Sequence, residues 1–252
     1  MNLGKVWLVM KKNKLVKLGY DAQTHTPIYV NVSDTCHLAC VGGTGSGKSI
    51  ATLYFLYNLF KSEEKVDLWI GDFKRSGDYK GLSENFSEFD KVTNLIEDFY
   101  KVFEATPEDS KITRLLVIDE YAGYITWLTQ TDKKKCEDIK GRIGSILMLG
   151  RSRHTFIWCI QQRISASLFP SGMGAIDNYQ ICVGVGHLSV EGRKSIFAGE
   201  HLEDEAFEKK YVPGQGQGLI LIDGQPLKPF VVPRISSKKG LKDLLRKYAN
   251  IK

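Results

Sequence analysis

Gly42-Gly43-Thr44-Gly45-Ser46-Gly47-Lys48-Ser49 is a glycine-rich octet ending in a lysine and a hydroxyl, the pattern G-x-x-x-x-G-K-[ST]. Glycines let successive backbone N–H groups turn inward around an anion without Cβ clashes. A helix starting at the end of the octet would add its positive dipole end. In that pattern Lys48 reaches the β and γ phosphates of a nucleotide and Ser49 ligates Mg²⁺. The phosphate-cradling set is therefore Gly42, Gly43, Thr44, Gly45, Ser46, Gly47, Lys48, Ser49 and the following Ile50. Such a loop needs a carboxylate at the end of a neighbouring strand to hold the metal. Leu115-Leu116-Val117-Ile118-Asp119-Glu120 supplies one: Asp119 is the expected Mg²⁺ partner and Glu120 the expected general base for an attacking water. Gln161-Gln162-Arg163 follows another apolar strand, and an amide at Gln162 could sense the γ-phosphate. Asp72-Phe73-Lys74-Arg75 ends a further strand and could line the same crevice.

These residues need elements to carry them. Short apolar runs at Leu38–Val41, Val66–Ile70, Leu115–Ile118, Phe156–Ile160, Ile181–Val185 and Gly218–Ile222 read as buried strands. Pro27–Val32 alternates and reads as a half-buried strand. Helical spacing appears over Ser49–Lys61, Lys91–Phe103 and Cys136–Leu149. Lys238–Ala249 reads as an amphipathic helix with a basic face. Strands alternating with helices predict an α/β fold, a mostly parallel sheet covered on both faces. The expected organisation is a single domain: a basic N-terminal segment and lead-in strand over 1–36, a core over 37–233, and a basic helix over 234–252.

With 42% hydrophobic and 25% charged residues, the 252-residue chain has an ordinary globular composition. No run is long and apolar enough for a membrane span, and the start lacks a secretory layout, so a cytoplasmic location is expected. Five cysteines without framework spacing suggest reduced thiols. The Cys36-His37-Leu38-Ala39-Cys40 run lacks a second ligand pair at zinc-site spacing. The formal charge of +6 is concentrated at the ends. Residues 1–17 hold five lysines and no acid, and 234–252 hold seven basic residues against Asp243 alone. That distribution suits either a polyanionic partner or two solvated ends.

Taken together, the motifs resemble the FtsK/SpoIIIE-type motors of the FtsK/HerA group. His37-Leu38 leading into Gly43–Ser49 is similar to that family's phosphate loop, Asp119-Glu120-Tyr121-Ala122 to its D-E-F-A, and Gln162-Arg163 to the centre of its T-Q-R-P. Leu18-Gly19-Tyr20-Asp21 with Pro27-Ile28 resembles the segment before its first core strand. Asp72-Phe73-Lys74 resembles its D-P-K, and Val190-Glu191-Gly192-Arg193-Lys194-Ser195-Ile196 resembles its D-S-R segment. Gln161, Ile164 and Phe73 depart from the flanking pattern. The resemblance implies a RecA-like core, ATP and Mg²⁺ as cofactors, and ATP hydrolysis between the subunits of a homo-hexamer. It also implies translocation of double-stranded DNA in transfer, segregation or packaging, of the kind found on plasmids, phages and integrative elements. A relaxase, recombinase or membrane-anchored protein would recruit such a motor. Arg193 is the first expected trans-acting arginine, with Arg151 and Arg153 second. Lys133, Lys134 and Lys135 are expected on a DNA-facing loop, with the basic tail helix a second DNA or docking surface. An FtsK-like ATPase powering protein secretion would carry the same core motifs. A small-molecule kinase would want an arginine-rich lid and an acceptor pocket, and the Asp119-Glu120 pair argues against it. No ABC-type L-S-G-G-Q signature is present.

Overall fold

A computed structural model describes residues 15–32, 36–63, 65–171 and 174–249. The expected parallel strands form one side of a ten-stranded sheet. In chain order the strands are β1 (Leu15–Asp21), β2 (Pro27–Asn31), β3 (Leu38–Val41), β4 (Val66–Asp72), β5 (Asn85–Glu88), β6 (Thr113–Asp119), β7 (Thr155–Gln161), β8 (Ile181–Val185), β9 (Gln217–Ile222) and β10 (Lys228–Val231). Across the sheet they run β2-β1-β10-β9-β8-β3-β7-β6-β4-β5. From β8 to β5 neighbouring strands are parallel, and from β8 outward to β2 they are antiparallel. Every residue of β3 and β7 is buried, the signature of strands covered on both faces. β2, on the antiparallel edge, buries Ile28 and Val30 and exposes Tyr29, as period-two alternation requires.

The helices are α1 (Lys48–Ser62), α2 (Val92–Ala105), α3 (Tyr121–Thr131), α4 (Lys133–Leu149), α5 (Val190–Phe197), α6 (Glu205–Lys210) and α7 (Lys238–Tyr248). Strand alternation divides the core. Leu38, Leu115, Val117, Phe156, Trp158 and Ile160 pack with Leu53, Phe55 and Leu56 of α1 and with Leu241 and Leu245 of α7. Leu116, Ile118, Ile157 and Cys159 face Leu95, Ile96 and Phe99 of α2, Tyr124 of α3, and Ile139 and Ile143 of α4. The fold is α/β with helices on both faces, as the strand–helix alternation predicts. Sequence pattern missed the antiparallel partners β9 and β10 as a paired wing, the short β5, and α3, whose apolar residues are not set in one strong stripe.

Lys133, Lys134 and Lys135 do not lie on a loop. They form the first turn of α4, because Asp132 caps that helix by accepting from the Lys135 amide at 2.9 Å. Lys135 is also spoken for, its ammonium 2.7 Å from Glu97. Lys133 and Lys134 are exposed. Lys5, Lys11, Lys12 and Lys14 of the basic N-terminal segment, and Lys252, lie outside the described residues. Among the described residues no helix is long and apolar enough to cross a membrane.

Candidate active site

β3 delivers the chain directly into the glycine turn, and α1 begins at Lys48. Two glycines are demanded by this path. A Cβ on Gly42 would collide with the Val185 carbonyl, and Gly47 sits at φ 102° against the backbone of Gly216. Gly47 caps α1 with no side chain, so the first-turn amides keep their donors for an anion. Lys48 is nearly buried, and its ammonium donates to the carbonyls of Gly42 at 2.5 Å and Gly43 at 3.0 Å. That anchors the cation at the mouth of the loop. The Gly216 amide donates to the Ser46 carbonyl at 2.9 Å, so the turn after α6 buttresses the phosphate loop from the antiparallel wing.

A cavity of about 290 Å³ opens over this loop. Gly43 to Ile50 line one side; Lys74, Ser76, Asp78, Asp119, Glu120, Gln215 and Lys238 contribute the rest. The structure thus brings together the glycine turn and the acidic pair at the carboxyl ends of β3 and β6, the expected crevice of a parallel sheet. Asp119 is the last residue of β6 and lies on the α1 side of the sheet by alternation. Burial first, then the neighbouring charges of Asp72, Glu120 and Asp78, push its carboxyl up to about 7, with Lys48 opposing. Carboxylates crowded in this way suit a divalent cation, which would relieve both burial and repulsion. Ser49 and Asp119 are the residues that fit Mg²⁺.

Glu120 leaves the strand in a left-handed conformation, φ 59° and ψ 45°, its amide held by the Ile160 carbonyl at 2.7 Å. A non-glycine residue there costs on the order of 1 kcal/mol, so packing must impose the position. Lys74 stands 3.9 Å from the Glu120 carboxylate across the cavity. Asp72 is fully occupied instead: its carboxylate accepts from the Ser76 amide and hydroxyl and the Gly77 amide. It folds the turn that places Lys74, while Phe73, where the resembling family has proline, stacks on Phe89 and meets Tyr124 and Trp127.

Gln162 is exposed and outside the cavity lining, because β7 continues one residue further than its apolar run suggests. Gln161 is instead the strand-end amide, paired in register with Val41. Both its Oε1 and Nε2 are buried without a hydrogen-bond partner among the described residues. Arg193 lies on α5 and pairs with Glu208 of α6, away from the phosphate cavity. Arg151 and Arg153 precede β7 at the opposite edge of the sheet, where Arg153 donates to the carbonyls of Phe103 and Glu104. Sequence reasoning missed Asp78, Gln215 and Lys238; none belongs to a local motif, and only folding brings them to the loop. Of the motif cysteines, Cys36 and Cys40 are buried thiols pushed up to about 12 by burial, and His37 accepts from the Ile157 amide.

No protein-family model matches the sequence, and no curated protein sequence does. Solved structures do. The pCW3 conjugation coupling protein TcpA, a monomer form with ATPγS, superposes with a TM-score of 0.69 over 94% of this chain and 70% of its own, at 17% identity. EssC ATPases 2 and 3 from Geobacillus thermodenitrificans give 0.67 over 94% and 48%, at 13% identity. The cytoplasmic domain of the Thermomonospora curvata type VII secretion ATPase EccC gives 0.66 over 94% and 31%, at 17% identity. The likeness shows the fold, a RecA-like P-loop core. This RecA-like chain spans only a third to a half of EccC and EssC, which are longer.

Proposed function

We propose that the chain binds Mg·ATP at the cavity over residues 43–50 and hydrolyses it. The observation that carries the reading is the convergence of Lys48 and Ser49 with Asp119 and Glu120 on one cavity, from strands β3 and β6 that flank β7 in the sheet. Lys48 neutralises charge on the β and γ phosphates, the free amides of the α1 first turn bind their oxygens, and Ser49 and Asp119 hold the metal. The metal supplies charge neutralisation at the transferred phosphoryl group. Glu120 receives the proton of the attacking water, and Lys74 opposite pairs with its carboxylate at the cavity. A cleft of about 600 Å³ adjoins the phosphate cavity at Gly47, Ile50 and Gln215, and lodges the nucleoside beside Val231–Ile235.

The work done with that ATP is, in this reading, translocation of double-stranded DNA by a ring of six copies, in the manner of FtsK/HerA-type motors. Support comes from the motif series and from the fold shared with a conjugation coupling protein. Arg193 remains the proposed finger, released from Glu208 to reach a neighbour's γ-phosphate. Exposed Lys133 and Lys134 at the α4 N-terminus are the proposed phosphate-backbone contacts. Protein secretion is the second reading, favoured by the equally good superposition on EccC and EssC; EccC ATPases 2 and 3 have been seen with a signal sequence peptide. Steady-state ATP turnover by wild type and Lys48→Ala, with and without duplex DNA, tests both levels. Turnover abolished in Lys48→Ala supports hydrolysis at this site, and stimulation of the wild type by duplex supports the DNA motor. Turnover indifferent to duplex favours the secretion reading.

A further inference from the structure

The basic C-terminal helix has a more definite task than a charged tail. Along α7, Lys238, Lys242 and Arg246 recur every fourth residue and so share one stripe, beside a second stripe of Leu241 and Leu245. The apolar stripe is buried in the α1 face of the core, and Tyr248 meets Tyr57 of α1 edge-on at 5.6 Å. The basic stripe grips the segment 77–81. Lys242 donates to the Gly77 carbonyl at 3.1 Å and Arg246 to the Gly81 carbonyl at 3.0 Å. Lys238 forms an ion pair with Asp78.

Only Lys238 of the three lines the phosphate cavity. There it joins Lys48 and Lys74, so cations from three separate elements surround one space of phosphate-accepting size. Its side chain is 37% exposed, leaving the ammonium two donors to spend beyond Asp78. Asp78 lines the same cavity as Ser49, so its ion pair with Lys238 sets α7 beside the phosphate loop.

We propose that α7 is a wall of the nucleotide site and that Lys238 binds the polyphosphate, held at the cavity rim by Asp78. This deepens the Mg·ATP reading above and rests on it. A lysine ammonium is a point charge well matched to a phosphate oxygen.

The test is equilibrium titration of the full chain with a fluorescent ATP analogue and Mg²⁺, at fixed ionic strength, alongside melting temperature without nucleotide. Lys238→Ala weakens binding on the order of tenfold, and Lys238→Arg stays within about threefold of wild type. Lys242→Ala, which loosens α7 away from the cavity, lowers the melting temperature and leaves the dissociation constant unchanged. A Lys238→Ala chain binding within about threefold of wild type overturns the inference. So does Lys242→Ala weakening binding as much as Lys238→Ala, because helix packing would then be the cause. Wild type binding no nucleotide at all overturns the Mg·ATP reading itself, which is a distinct result.

Discussion

At the residue scale, the site concentrates groups in unfavourable surroundings. Asp119 is the clearest case. Its carboxyl ordinarily titrates near 3.8, and in the folded chain it is pushed up to about 7. The folded state therefore holds a proton that the unfolded state has lost between those values. Stability from this group is complete below pH 3.8 and is lost as pH rises through 7. Asp119→Asn removes the cost, so at pH 8 it should melt higher than wild type, and the two melting curves should converge toward pH 4. A constant difference across that range would remove Asp119 as its source. Gln161 is a second case, with both amide atoms buried and unpartnered among the described residues. Gln161→Met should stabilise the fold by about 1 kcal/mol in denaturant unfolding while lowering turnover. Stabilisation with unchanged turnover would make Gln161 a buried amide with no part in catalysis.

At the scale of elements, the phosphate loop depends on strands that carry none of its motif. β8 and the turn before β9 press on Gly42, Gly47 and Ser46, and Gly218 of β9 lies against the Gly184 carbonyl of β8. Gly218→Ala would drive a methyl into that carbonyl, and unfolding should show a loss of about 2 kcal/mol or more. Helix α4 makes a separate prediction. Lys133→Glu with Lys134→Glu should leave basal ATP turnover intact and abolish its stimulation by duplex DNA, since these two lysines are exposed and unneeded for capping. Unchanged stimulation would take this helix start off the DNA path. Much of this scale was legible in advance. The glycine turn, the buried runs of β3, β6 and β7, and Asp119-Glu120 are local patterns, and local patterns survive translation into structure. Lys133–Lys135 misled because a lysine run says nothing of the Asp132 cap that makes it helical. Gln161 and Gln162 were exchanged because the exact strand end decides which of two adjacent amides turns inward.

At the scale of the molecule, the long-range partners were invisible. Asp78, Gln215 and Lys238 meet at one cavity from positions far apart in sequence, and no spacing rule links them. The basic ends also divided. The tail helix is packed on α1 and spends Lys238, Lys242 and Arg246 on its own chain rather than displaying them as a free cationic face. If Arg193 acts in trans, ATP must sit between copies, so mass measurement with a non-hydrolysable nucleotide should find a ring of six where nucleotide-free protein is smaller. A monomer under both conditions would leave Arg193 as a partner of Glu208 alone. The central claim is that Lys48, Ser49, Asp119 and Glu120 act on a single magnesium nucleotide, and one paired measurement reaches it most directly. ATP binding and ATP turnover are followed in the same preparations of wild type and Glu120→Gln. Glu120→Gln is expected to bind ATP as tightly as wild type while turnover falls on the order of 10²-fold or more. Turnover at the wild-type rate in Glu120→Gln, or no ATP binding by the wild type, would contradict it.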